Sequence, residues 1–286
     1  MKKVVILFTF IAFLLAGCNR DPKDDPESDR QVVVFFSAQS SSSSLLKSSA
    51  TEPEKTIQKI LLFGVDENSN VVEKFPIINN PPSSGTALTI SRKIKSLYAI
   101  ANSSSTLEAA NPANVTALNN LTADFSNIPQ SPFIMSGKAG ISGIDVDIKL
   151  VRAVAKIKII GKNGFTISSV TVQNTPTTGY VFERTPLVVP SGKKDYSPIT
   201  GANPTFYVAE NTTSSPTKFV VIGQFLGKQA TYTITQLPSN GTNVDIQRNA
   251  YYEINISPIT ENDCSITIGI PEWTDVDIDE YTPNFE

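Results

Sequence analysis

Two cysteines and no histidine bound the chemistry open to this chain of 286 residues. Without an imidazole there can be no Ser-His-Asp or Cys-His nucleophile, no histidine general base and no histidine metal ligand. Paired carboxylates could still hydrolyse a glycosidic bond. No isolated pair stands out for that work, so no catalytic residue is expected. Asp275, Asp277 and Asp279 alternate near the end of the chain, but an isolated Asp-x-Asp-x-Asp lacks the glycine and closing glutamate of the familiar calcium loop. Neither a metal nor any other cofactor is expected. Cys264 falls in register with Ile266, Ile268 and Ile270, which reads as a small buried hydrophobe rather than a reactive thiol.

Cys18 has different neighbours. Lys2 and Lys3 are followed by an uncharged run from Val4 to Ala16, and the small residues of Leu15-Ala16-Gly17-Cys18 stand where a processing enzyme needs them. A permanent span needs roughly 17 to 25 apolar residues, so this shorter run is a signal and not an anchor. Leu-Ala-Gly-Cys resembles the bacterial lipobox. That resemblance implies cleavage between Gly17 and Cys18, a diacylglyceryl group on the Cys18 thiol, and attachment to the outer membrane through acyl chains. With Cys18 lipidated, Cys264 has no disulfide partner. Residues 1–17 are then the signal peptide and 18–30 a polar tether, rich in acid (Asp21, Asp24, Asp25, Glu27, Asp29) and too poor in apolar side chains to fold. The acidic run resembles the stretch behind the lipidated cysteine of surface-exported lipoproteins in Bacteroidetes-type bacteria. Composition alone fits a soluble spacer equally well.

The length of chain beyond residue 30 suits one large or two ordinary domains. A net charge of −3, with no run of Lys or Arg, gives no field for nucleic acid, which is not an expected partner. Stretches rich in Val, Ile, Thr, Phe and Tyr recur between clusters of Pro, Gly, Asn and Ser, the pattern of an all-β sandwich. A single continuous strand is predicted from Ile144 to Ile160. One helical segment is predicted near Thr106 to Leu121, interrupted by Asn111-Pro112. Val32 to Phe36 is apolar at every position, so this first strand is expected to be buried on both faces. Behind it, Ser40 to Ser44 and Ser48-Ser49 frame Lys47 in what reads as an exposed loop open to proteolysis.

The longest strand signal, LVRAVAKIKI at 150–159, sets Val151, Ala153, Ala155, Ile157 and Ile159 on one face and Arg152, Lys156 and Lys158 on the other. With FIMSGK at 133–138, FYVAEN at 206–211, QRNAYYEINI at 247–256 and PEW at 271–273, it resembles the fimbrillins of Bacteroidetes, the subunits of type V pili. The resemblance implies two tandem β-sandwich domains of Greek-key or transthyretin-like type, here 31–147 and 148–286. It also implies a surface lipoprotein whose first strand is removed by a trypsin-like protease, so that the open groove takes a strand from the next subunit. Other fimbrial subunits are then the partners, and host or bacterial surface receptors the targets of adhesion. Val32, Val34 and Phe36 match the removable strand and Lys47 the cut site. The family's shaft subunits usually offer an arginine in that loop, whereas here Arg30 lies before the strand. An anchor subunit that stays uncut and lipidated is therefore a variant of the same reading.

Beyond Trp273, Val276 and Ile278 share one face of an extended tail near 274–286, opposite the three aspartates. Such a tail suits a donor strand for a neighbour, or an acidic edge strand kept soluble by charge. A surface glycan-binding lipoprotein is the other class this pattern admits, although one tryptophan leaves few flat stacking platforms beside the eight tyrosines. Cys18→Ser is expected to abolish acylation and move the protein from membrane to soluble fractions. Unchanged membrane retention in fractionated cells would show that something else anchors it.

Overall fold

The computed structural model describes residues 29–39, 47–239, 242–260, 263–269 and 272–274. Gly17, Cys18, Val276 and Ile278 lie outside the described residues. In the first half the chain forms β1 (Asp29–Ala38), β2 (Lys47–Ser49), α1 (Glu52–Lys55), β3 (Lys59–Val65), β4 (Val71–Lys74), β5 (Ile78–Asn79), β6 (Thr86–Ser91) and β7 (Ser96–Ala101). Two short helices come next, α2 (Ser105–Ala109) and α3 (Val115–Asn119), then β8 (Thr122–Asp124), β9 (Met135–Gly140) and β10 (Asp145–Arg152). The predicted helical segment is thus two single turns on either side of Asn111-Pro112. Ser104 and Asn114 begin them, their side chains accepting the N–H groups of Leu107 and Ala117.

These strands join in the order β4-β3-β7-β9-β10-β1-β6, with β5 beside β3. The sheet folds over itself so that Val32, Ile60, Leu62, Leu97, Ile148 and Leu150 meet in one core. Strand β10 shows why: Val146, Ile148 and Leu150 are buried while Asp145, Asp147 and Lys149 are exposed, a clean two-residue alternation. Strand β3 has no such alternation. Ile60 and Leu62 enter this core, whereas Leu61, Phe63 and Val65 enter another on the opposite face, as a continuous apolar run requires.

The second half contains β11 (Val154–Gly161), β12 (Thr166–Gln173), β13 (Thr175–Pro176), β14 (Thr178–Tyr180), β15 (Lys193–Lys194), β16 (Ile199–Thr200), β17 (Thr205–Ala209), β18 (Lys218–Phe225) and β19 (Lys228–Ile234). It ends with β20 (Leu237–Ser239), β21 (Thr242–Val244), β22 (Tyr251–Pro258), β23 (Cys264–Gly269) and β24 (Glu272–Thr274). Two four-stranded sheets, β17-β11-β22-β23 and β16-β12-β18-β19, close over Ile157, Ile159, Val170, Phe219, Val221 and Ile254. Cys264, expected to be buried, is only half-buried at the edge of this core, and burial together with the Asp263 charge raises the pKa of its thiol.

Between these two cores lies the third, built from the far face of β3 and β7, α2 and α3, and residues of the second half including Val181, Ala209 and Tyr251. Here the strand predicted over 144–160 is corrected. It breaks at Ala153, with β10 in the first sheet and β11 in the second. Ala153 and Val154, adjacent in sequence, both enter the third core, which an unbroken strand cannot allow because its side chains alternate. Val151 and Ala153 therefore do not share the buried face of Ala155, Ile157 and Ile159. The change of sheet comes at Ala153, and the boundary read near 147 falls inside β10. Because Ala155 is fully buried in the second core, Ala155→Asp should cost several kcal/mol, a large part of a domain's total stability. Denaturant unfolding checks this; an unchanged midpoint would show that the side chain faces water.

Candidate functional site

Strand β1 lies between two neighbours and is held by both. It runs parallel to β10, from Val33 opposite Asp145 to Ala38 opposite Leu150, and antiparallel to β6, from Asp29 opposite Ser91 to Val34 opposite Thr86. Among the described residues β1 is the only strand that pairs with β6. Val32 and Val34 are fully buried and Phe36 packs at the edge of the same core. The expectation of burial on both faces needs correction, since Val33 and Phe35 are only half-buried. Their cover is the turn before β6, where Gly85 has φ +88° and any Cβ would strike Val33 and Phe35. Arg30 and Lys149 tie the strand further, donating to Ile94 O (2.8 Å) and Ser37 Oγ (3.0 Å).

The end of β1 reaches a buried polar cluster. Arg152 has no exposed surface; its guanidinium donates to Glu54 O (3.0 Å), Gln39 O (3.2 Å) and Asn249 Oδ1 (3.0 Å). Asn249 Nδ2 donates to the same Gln39 carbonyl at 3.0 Å. The Glu54 carboxylate, also buried, pairs with Lys156 Nζ at 2.8 Å, accepts the Tyr207 hydroxyl, and accepts Thr51 N–H at 2.7 Å in a capping box that opens α1. Burial alone would raise the Glu54 pKa, but the hydrogen bonds from Lys156, Tyr207 and Thr51 outweigh it and hold the group below the ordinary carboxylate value. Burial and the neighbouring Glu54 charge push the Tyr207 hydroxyl up. Arg152 and Lys156 come together in this cluster although they lie in different strands, β10 and β11, while Lys158, read on the same face, lies outside it beside Glu253. Charge alone would put that face in water, yet neither Arg152 nor Lys156 is exposed.

A second buried pair lies nearby. Arg248 bonds both oxygens of Glu210 and donates to Val181 O (2.8 Å) and Tyr180 O (2.6 Å). The sequence motifs therefore converge on this junction: Arg152 and Lys156 from one, Tyr207 and Glu210 from the next, Arg248 and Asn249 from the third. Ser136, from FIMSGK, joins them by donating to Val181 O at 2.6 Å. Sequence reasoning misses Glu54 and Gln39. The Thr51-x-x-Glu54 spacing of a capping box is the one available signal for Glu54; nothing marks Gln39.

Lys47 is placed differently from the loop reading. It begins β2, which pairs in parallel with β24, Lys47 opposite Glu272, Ser48 opposite Trp273 and Ser49 opposite Thr274. Residues 40–46 lie outside the described residues. The backbone at Lys47 is thus joined to the strand from which the tail departs.

Known proteins share this fold. The fold is common to a proposed cell adhesion protein of Parabacteroides distasonis (TM-score 0.63, 15% identity, covering 87% of this chain and 97% of that one). Another proposed cell adhesion protein, from Bacteroides eggerthii, gives a TM-score of 0.61 at 14% identity over 87% of this chain and 98% of that one. The tip fimbrial protein Mfa3 from Porphyromonas gingivalis, with a C-terminal truncation, gives 0.60 at 14% identity over 85% and 100%. No curated protein matches the chain by sequence. Residues 113–279, more than half of the chain and including most of the junction motifs, match the family model described as fimbrillin-A associated anchor proteins Mfa1 and Mfa2, and the chain belongs to that family.

Proposed function

We propose that this protein is a structural subunit of a cell-surface fimbria, exported as a lipoprotein on Cys18 and assembled by exchange of β1 for a strand of a neighbouring subunit. The observation that carries this reading is the position of β1. An apolar strand at the start of the fold fills a slot between β10 and β6, bonded along both edges. Its departure would strip β6 of its strand partner, open an edge on β10, and uncover the core that Val32 and Val34 now fill. An open slot of that kind binds an extended segment through main-chain hydrogen bonds, with alternate side chains entering the core. Fold relatives proposed to act in cell adhesion support a role in attachment.

The anchor form of this reading, uncut and still lipidated, is favoured by one specific observation. Lys47 is backbone-paired with Glu272, and a protease that grips its substrate in extended form must first draw Lys47 away from β24. Arg30 is likewise inside a paired strand, opposite Ile90. An anchor would present its tail or its surface to the next subunit while keeping β1 in place.

Limited trypsin digestion of the purified protein, followed by electron microscopy and size exclusion, separates the two forms. A shaft-type subunit cut after Lys47 should give filaments, because each head-to-tail contact leaves the next one open. The double variant Val276→Asp with Ile278→Asp should stop this polymerisation while the monomer stays folded, if the tail is the donor. Polymerisation equal to wild type in that variant would exclude the tail. Cleaved protein that never associates would overturn exchange and leave the uncut anchor, as would an amino terminus at acylated Cys18 in protein taken from cells.

A further inference from the structure

Alternating side chains cannot by themselves set where an exchanged strand stops. A slip of one residue turns every apolar side chain to the wrong face and is rejected. A slip of two residues, roughly 7 Å along the strand, keeps the same face inward. Main-chain groups repeat at that same two-residue spacing, so what the end of the slot can sense is how far the strand extends.

We propose that Arg152 and Asn249 form a socket for a single backbone carbonyl, which clamps the end of whatever strand of a neighbouring fimbrial subunit takes the place of β1 and so requires that strand to reach the end of the slot. This rests on the exchange reading above. The carbonyl of Gln39, one residue past β1, receives both Arg152 Nη1 (3.2 Å) and Asn249 Nδ2 (3.0 Å). One donor comes from a strand that flanks the slot, Arg152 at the end of β10, and the other, Asn249, precedes β22 in the other half of the molecule. Both side chains are held from behind. Arg152 is fixed by Glu54 O and by Asn249 Oδ1, and Asn249 holds a left-handed backbone at φ +55°, a conformation asparagine tolerates. These contacts hold the donors in place when β1 leaves, and the departure of Gln39 takes away an acceptor from two side chains that are buried in the intact fold. An incoming strand satisfies them only if a carbonyl arrives at the position of Gln39 while apolar side chains occupy those of Val32 and Val34. A strand that fills the core but stops one residue short leaves the socket without that carbonyl.

The test uses protein cut after Lys47, with β1 released in mild denaturant and removed, and amidated peptides that copy β1. The peptide of residues 29–39 carries the Gln39 carbonyl. The peptide of residues 29–38 ends in an amide N–H where Gln39 N donates to Leu150 O at 2.8 Å, so it keeps that bond and lacks the carbonyl. The shorter peptide should dissociate about tenfold faster or more, in line with loss of an acceptor for charged and buried donors. A 29–39 peptide with Gln39→Ala should behave like the full one, since the main chain is read. Asn249→Asp retains an oxygen for Arg152 and tolerates the same φ, but puts an acceptor where the Nδ2 donor stood; in this variant, checked for folding by circular dichroism, the difference between peptides should shrink. Equal dissociation of the two peptides from wild-type protein, or an undiminished difference in Asn249→Asp, overturns the socket while exchange stands. Failure of every peptide to bind overturns exchange and the socket together.

Discussion

A fully buried arginine governs how the two halves of this molecule meet. An isolated guanidinium taken out of water is costly, and the cost is offset only when its donors are met. Arg152 meets them with the carbonyls of Glu54 and Gln39 and the amide oxygen of Asn249. Those acceptors come from α1, the end of β1 and the turn before β22, so one side chain draws together segments far apart in sequence. Lys156, in the next strand, recruits the Glu54 carboxylate, and Tyr207 closes the cluster from β17. Moving any one of these segments takes a partner from a buried charged group, so the junction resists piecemeal rearrangement.

The same constraint explains where the chain changes sheets. Arg152 must point into the cluster while Ala153 and Val154 both enter the third core, and no regular strand satisfies all three. The break at Ala153 is the consequence. It hands the polypeptide from β10, the neighbour of β1, directly to β11, the central strand of the second half. Any disturbance along β10 when β1 leaves is therefore one residue from the second sandwich.

The two halves also share an arrangement. In each, the opening strand runs parallel to a late strand and antiparallel to an earlier one: β1 with β10 and β6, β11 with β22 and β17. A parallel neighbour cannot be reached by a tight hairpin, so both slots are filled by a strand that arrives from outside the local run of chain. For β11 that strand is continuous with β10 and cannot be exchanged. For β1 the preceding sequence is polar and acidic, and a single cut behind the strand separates it covalently from the rest. Equivalent packing thus carries a different potential in the two halves, decided by connectivity.

Much of this is legible in the sequence. The alternation in 145–150 and 251–256, the continuous apolar run of 59–65 and the turn-rich intervals identify an all-β fold, and the motifs around Arg152, Tyr207 and Arg248 point to the family. Period-two patterns carry that information because each strand needs only its own side chains to show which face is buried. The short strands over 122–124, 175–180 and 193–200 give no such signal, being too brief to alternate. Only the tertiary structure decides the relations between distant residues. That Arg152 and Lys156 are buried rather than solvated depends on Glu54, Gln39, Tyr207 and Asn249 arriving from elsewhere; charge by itself points to the surface. That Lys47 starts a strand rather than tipping a loop depends on β24, which reaches it from the other end of the chain. The reason is common to both. A side chain's own pattern reports the face it occupies, but the solvation of a charge and the pairing of a short strand depend on partners whose positions only the folded chain brings together.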